Sequence, residues 1–345
     1  MKKKSLFLVL FVVLALGLSL NGAEESPSKK GVRSVLDKVK QQQKDILSEQ
    51  AKLRKMLSTI NEDIKKRNLS FKAKITEMMK HKIAEITGAK IPSKIEDEAK
   101  RKEEENKKKD KKDKIKPIDK KEQPSPTLKV FSWDKEGKVT PVKHQHECGS
   151  CWSFTSMAVL EANYMIKKDK KTDLSEQTVL DCAENNDGSD AGSCEGGWYG
   201  GVFDYLSARG VPSEKALPYK NSSGKCQVKK KSPKQVKAWG YVKSDAGIPS
   251  VKKMKEALCK YGPLAATVKV TPAFQAYDSG VFDELPDLKN EKDVNHAITI
   301  TGWDDAKQAY RVKNSWGTEW GEDGYVWVKY NCNNIGYGAA WVVVD

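Results

Sequence analysis

The sequence predicts an α+β protein whose folded part comes in two halves, preceded by a helical region. Three observations predict it. A helical pattern over 151–168 opens the C-terminal part, with Phe154, Met157, Ala158, Leu160 and Tyr164 on its apolar side. Strand patterns dominate only after Gly240, at 264–270, 297–303, 310–314 and 325–330, and helices first with strands later is the order of an α+β arrangement. Upstream, Val32, Val39, Ile46, Leu53 and Ile60 recur every seven residues, with Leu36, Leu57 and Ile64 at the partner positions, which predicts helix over 31–87.

The elements follow in order. Residues 1–23 read as a signal peptide: Lys2 to Lys4 form a positive start, Leu6 to Leu20 an apolar stretch, and Asn21-Gly22-Ala23 a small-residue cleavage site. Fifteen apolar-rich positions fall short of the ~20 needed to span a bilayer, so an exported chain without a stable membrane span is expected. Residues 24–92 are the helical region. Gln43 and Gln50 interrupt its second seam, leaving a helical hairpin and a long coiled coil equally open, and Gly88 and Pro92 end it. Residues 93–127 run through Lys, Glu and Asp to Pro124-Ser125-Pro126 and read as a solvated linker. A polybasic binding tail is the alternative, opposed by the interleaved acidic residues.

Residues 128–345 carry the composition of a folded domain. The chain of 345 residues has 62 Lys+Arg against 47 Asp+Glu, yet the excess lies elsewhere. From 24 to 127 there are 30 basic and 19 acidic residues, whereas from 128 to 345 there are 29 and 28. The domain itself is near neutral, and no nucleic-acid partner is expected. All seven cysteines fall between Cys148 and Cys332, so one is left over from any pairing.

The chemistry concentrates in Gln145-His146-Glu147-Cys148-Gly149-Ser150-Cys151-Trp152-Ser153-Phe154. A thiol with an unperturbed pKa of ~8.5 is a poor nucleophile at neutral pH, and a helix N-terminus beside an imidazole stabilises its thiolate. Downstream lie His296, in Val294-Asn295-His296-Ala297, and Asn314, in Lys313-Asn314-Ser315-Trp316-Gly317. Together with Leu174-Ser175-Glu176-Gln177, Asp181-Cys182, Cys194-Glu195-Gly196-Gly197 and Gly321-Glu322-Asp323-Gly324-Tyr325, these segments resemble the papain-like cysteine proteases. The resemblance runs from about Trp133 to the C-terminus.

That resemblance implies a two-lobed papain-like fold, with a helical left lobe, a β-barrel-like right lobe, and a pro-region before them. It implies Cys151 as nucleophile, His296 as its partner and general acid, Asn314 as the group orienting the imidazole, and Trp316 as its shield. Gln145 and the backbone N–H of Cys151 would bind the oxyanion, each donor worth ~3 kcal/mol in comparable sites. Gly196 and Gly197 would pair with an extended substrate. Tyr199, Thr267 and Val294 would wall the pocket for the side chain two positions before the scissile bond, with Trp198 flanking and Asn295 beside the catalytic imidazole. No acidic residue lies from Cys332 to Val344, so peptides with an apolar side chain there are the expected substrates. The family positions imply disulfides Cys148–Cys194 and Cys182–Cys226, and Cys259–Cys332 would then pair by elimination. No cofactor and no metal are implied.

Two departures from the family pattern stand out. His144 and His146 occupy positions where Asn and Gly are usual, and with Cys148 they suggest a metal set, opposed by the need for Cys148 in a disulfide. Residues 24–127 also lack the interspersed Glu/Arg/Phe/Asn pattern of the family's pro-regions. A catalytically silent peptide-binding or adhesive protein on the same fold, and an acyl transferase using the same thioester, are the competing readings.

Overall fold

The computed structural model describes residues 29–112 and 115–345. The signal-peptide segment 1–23 lies outside the described residues. The chain divides at Lys52/Leu53 into two units. In the first, the described residues are helical, and Leu36, Ile46 and Leu47 are exposed. No helix among the described residues is long and apolar enough to cross a membrane.

The second unit begins within helix α1 (Lys29–Arg67). Here Leu53 and Ile60 are buried, with Met56, Leu57 and Ile64 packed beside them, so the seven-residue pattern does mark a packing face. The helix expected over 31–87 nevertheless stops at Arg67. Asn68 adopts φ +52°, and the Leu69 N–H bonds the Ile64 carbonyl at 2.9 Å, a left-handed cap of the usual kind. Strand β1 (Phe71–Ala73) follows. A 3₁₀ turn at Glu77–Lys80 comes next, then the single-turn α2 (Ile83–Ile86). Phe71, Met78, Met79 and Ile86 are all buried in the same core.

The segment expected to be a linker contains helix α3 (Ile95–Asp110). Ile95, Ala99 and Lys102, at spacings of four and three, form its buried stripe. So narrow a stripe suffices because the surface that receives it is supplied by the folded domain, and composition alone could not reveal that.

The domain proper starts with β2 (Val130–Ser132) and the central helix α4 (Cys151–Lys168), buried on all sides from Cys151 to Tyr164. Helix α5 (Glu176–Cys182) is capped by the Ser175 hydroxyl, which accepts from the Thr178 N–H. The small hairpin β3 (Gly192–Ser193) and β4 (Gly196–Gly197), helix α6 (Tyr199–Ala208), strand β5 (Ala238–Tyr241) and helix α7 (Val251–Tyr261) complete the first half. Then come β6 (Leu264–Val268), the short α8 (Pro272–Gln275), β7 (Tyr277–Phe282), β8 (His296–Asp304), β9 (Ala309–Lys313), β10 (Tyr325–Lys329) and β11 (Tyr337–Val343).

These strands form one sheet in the order β1-β7-β10-β9-β8-β6-β11-β5, with β2 on β8. The edge strand β1 is thus contributed by the N-terminal segment, its Phe71 ring 4.6 Å from Phe282. Two cores result: one beneath the sheet and α7, the other around α4, α6 and β11.

Cys148–Cys194 and Cys182–Cys226 are bonded. The expected Cys259–Cys332 bond is absent, and both thiols are free and buried. Cys259 lies in α7 within the sheet-side core, and burial pushes its thiol up to about 12 and that of Cys332 to about 11. Each packs as a small apolar side chain. Pairing by elimination failed because a buried cysteine needs no partner.

Candidate active site

Cys151 is the first residue of α4 and His296 the first of β8, and the Ala297 N–H donates to the Cys151 sulfur at 3.3 Å. Asn314 follows β9, the antiparallel neighbour of β8, so adjacent strand ends bring two residues 18 apart into contact. The His296 Nε2 and Asn314 Oδ1 are 2.8 Å apart. This commits Nε2 and leaves Nδ1, buried and without a hydrogen-bond partner, as the ring nitrogen available to a thiol. The Trp316 ring lies 4.8 Å from the imidazole and is itself buried.

Gln145 is fully buried and fixed at both ends of its amide. Its Oε1 accepts from the Ser315 hydroxyl at 2.6 Å, and its Nε2 donates to the Cys148 carbonyl at 2.8 Å. The same Nε2 also donates to the carbonyl oxygen of Ile86 at 3.2 Å, which accepts in addition from Trp316 Nε1 at 3.1 Å. The N-terminal segment therefore places a carbonyl oxygen on the amide expected to receive an oxyanion.

The segment continues through the site. The N–H groups of Gly88 and Ala89 donate to the Asn295 carbonyl at 3.0 and 2.9 Å. Lys90 N–H donates to Gly197 O at 3.0 Å, and Gly197 N–H to Gly88 O at 2.9 Å. Ala89 and Gly197 form a parallel bridge. Gly88 is required here: a Cβ at that position would overlap the backbone carbonyl of Gly149, and one on Gly149 would sit 2.6 Å from the Thr87 oxygen.

Covering determines the protonation state. Cys151 and His296 are both fully buried. Burial pushes the thiol up to about 12, opposed by N–H groups of Ala297, Trp152 and Gly88. Burial likewise pushes the imidazole down to about 4, opposed by the Asn314 hydrogen bond. Desolvation disfavours both ions, so the pair is neutral in this state, and the thiolate expected from the sequence is not its resting form.

The expected pocket residues converge as well. Tyr199 is fully buried, stacked at 4.4 Å on Trp198, and its hydroxyl donates to Gly338 O at 2.7 Å. Thr267 is buried, with its hydroxyl on Tyr337 O at 2.9 Å. Val294 and Ala89 pack against the same apolar cluster. The His144 and His146 rings stack 4.1 Å apart, while Cys148 is in a disulfide and unavailable to join them on a metal. Sequence reasoning missed Ile86, Gly88 and Ala89 as occupants of the site, and Ser315 as the anchor of Gln145. Only Gly88, where the helical pattern was expected to end, offered a signal.

A thiol at a helix start, an imidazole fixed by an amide, and a second amide on which a carbonyl oxygen sits are brought together here, an arrangement chemically capable of thiol-dependent acyl transfer. The chain belongs to the papain family of cysteine proteases, whose family model matches residues 128–343. It is similar to procathepsin L of Rattus norvegicus, 34% identical over 218 residues, a match covering 60% of this chain and 61% of that protein. The chain thus spans about three fifths of that relative's length. Among solved structures it resembles the digestive procathepsin L2 proteinase of Tenebrio molitor larval midgut. That match has TM-score 0.67 and 26% identity, and covers 86% of this chain and 91% of that one. The bromelain protease of Ananas comosus, solved with the E64 inhibitor, matches with TM-score 0.55 and 30% identity, covering 64% of this chain and all of that one.

Proposed function

We propose that the protein is an exported cysteine endopeptidase made as a precursor, with residues 24–127 as the pro-segment and a mature enzyme beginning near Leu128. The observation that carries this reading is a peptide strand, Ile86 to Lys90, lying across Cys151, His296 and Gln145 with its backbone hydrogen-bonded on both sides. With that strand gone, Cys151 Sγ attacks a substrate carbonyl carbon and its proton passes to His296 Nδ1. The oxyanion accepts from Gln145 Nε2 and the Cys151 N–H. The imidazolium then protonates the leaving amine as the C–N bond breaks, leaving a thioester. Water, deprotonated by His296, attacks the thioester, and the thiol is regenerated with release of the acid.

Escape of the pro-segment from cleavage is consistent with how its carbonyls are held: that of Gly88 accepts from the Gly197 N–H at 2.9 Å. The carbonyl that does reach Gln145, that of Ile86, is shared with Trp316 rather than with the Cys151 N–H. The apolar cluster that holds Tyr199, with Ala89 and Val294 packed against it, supports selectivity for an apolar side chain two positions before the cut. Labelling with an epoxide peptide tests the reading. The matured wild-type enzyme is expected to react once per chain at Cys151 and to hydrolyse peptides, whereas Cys151→Ala folds with both disulfides and does neither. A matured wild-type protein that stays unlabelled would leave the silent peptide-binding alternative in its place.

A further inference from the structure

Helix α3 is seated on the folded domain by polar side chains on one face, at intervals of four. The Glu98 carboxylate accepts from the Tyr241 hydroxyl at 3.1 Å, Lys102 pairs with Asp204, and Asn106 Nδ2 donates to the Trp239 carbonyl at 2.8 Å. The Lys102 ammonium also lies 4.9 Å from the centre of the Trp239 ring, within cation–π range. Lys102 is 7% exposed, while Lys100, Lys107 and Lys108 of the same helix face solvent. A lysine is buried to this degree only when it is paired.

The receiving surface is held together by contacts internal to the domain. Asp204, on α6, accepts from Trp239 Nε1 at 2.7 Å and from Asn186 Nδ2 at 2.5 Å. Tyr241 accepts from Trp198 Nε1 at 2.8 Å, and the Trp239 ring packs between Phe203 and Tyr241, 5.6 and 5.4 Å away. Two glycines leave the space that the helix uses: a Cβ on Gly200 would overlap the Glu98 carboxylate, and one on Gly240 would lie 2.8 Å from Asn106 Nδ2. None of these receiving groups takes part in the chemistry at Cys151.

We propose that Asp204, Trp239 and Tyr241 form a lysine-docking site outside the cleft, whose ligand is a helix presenting Glu, Lys and Asn at successive fourth positions, and which holds α3 independently of the cleft strand. The site rests on the precursor reading only in that α3 is then a segment to be released. Because its donors and its carboxylate are fixed by the domain, it survives cutting of the chain between α3 and Leu128. The cut helix stays bound until it dissociates in its own right.

A synthetic peptide of residues 93–112, labelled with a fluorophore, tests this against enzyme matured from the full chain, with Cys151 both free and alkylated. Saturable binding is expected in both forms, at least tenfold weaker for the Lys102→Met peptide and unchanged for Lys108→Met. On Asp204→Asn enzyme the wild-type and Lys102→Met peptides should bind alike. This readout needs no peptidase activity, so it stands apart from the epoxide-labelling result. Equal binding of the wild-type and Lys102→Met peptides to wild-type enzyme overturns the proposal, as does loss of peptide binding when Cys151 is alkylated.

Discussion

Acidification should uncover the active site, and the structure sets the size of the effect. In the covered state His296 is neutral, pushed by burial to about 4 from an ordinary 6.5. A group whose pKa is lowered by covering stabilises the covered state above its ordinary value, and that stability is lost as pH falls toward the lowered one. If the uncovered imidazole regains its ordinary value with Cys151 still a thiol, the loss at pH 5 is about 2 kcal/mol, or roughly thirtyfold in the open fraction; an open thiolate–imidazolium pair, which binds as many protons as the neutral pair, would show none. His144, which burial together with His146 and His81 holds at about 4, acts in the same direction but is partly solvated and adds less. Burial raises Glu98, which works the other way because its protonated form is favoured when docked. Cys151 sets the opposite limit: its thiol, at about 12 when covered, favours the covered state up to about pH 9 and ceases to as pH rises beyond. The cover is therefore tightest between about pH 6.5 and 9. The assay is the rate of epoxide labelling of uncut precursor, read by intact mass and divided by the rate for matured enzyme at the same pH. That ratio should rise roughly thirtyfold from pH 7.5 to 5, and less in His144→Gln. A flat ratio would refute the separate titration of His296 on uncovering, and with it this account of the cover's pH dependence.

Two further outcomes follow from the cleft. Gly88→Ala drives a Cβ into the Gly149 carbonyl and should break the four backbone hydrogen bonds around Asn295 and Gly197, about 2–4 kcal/mol in total; at pH 7.5 its precursor should label at Cys151 at least thirtyfold faster than wild type, with the thermal unfolding of the domain unchanged. For specificity, a fluorogenic Phe-Arg dipeptide should be cleaved with more than tenfold the kcat/KM of Arg-Arg, since the stretch from Cys332 to Val344 offers a guanidinium no acidic partner; equal cleavage would show a negative charge at the pocket floor.

The C-terminal domain was largely legible because its signals are local or fixed by chemistry. The helix expected at 151–168 is the one found, Cys151–Lys168, since a continuous apolar side leaves little freedom in phase. Four of its strands, at 264–270, 297–303, 310–314 and 325–330, were visible as short runs rich in β-branched and aromatic residues. The N-terminal segment resisted for a different reason. Phe71-Lys72-Ala73-Lys74-Ile75 alternates at period two, a strand pattern, but its partner β7 lies some 200 residues away, and the seven-residue pattern before it masked the change. Helix α3 was read as linker because Lys102 counts as a solvated charge until Asp204 and Trp239 are placed beside it. The carbonyl of Ile86 on Gln145 has no side-chain signature at all, because backbone groups carry none.

On the proposed function, a substrate would compete with the cover for the groups the cover holds: Gln145 Nε2, the Asn295 carbonyl and both backbone groups of Gly197. A cover that bound the cleft very tightly would have to do so through contacts that a substrate also makes, and after cutting it would persist as a product-like inhibitor. Within one chain this difficulty is reduced, because an attached segment acts at an effective concentration on the order of millimolar, so modest cleft contacts suffice until the chain is cut. Contacts outside the cleft can then be strengthened without altering catalysis. The β1 edge on β7 and the Lys102–Asp204 pair have this property: each adds hold on the precursor, and neither touches a group that the reaction uses. Closure can therefore be adjusted through residues such as Phe71 and Lys102 while Cys151, His296, Asn314 and Gln145 keep the geometry that the proposed chemistry requires.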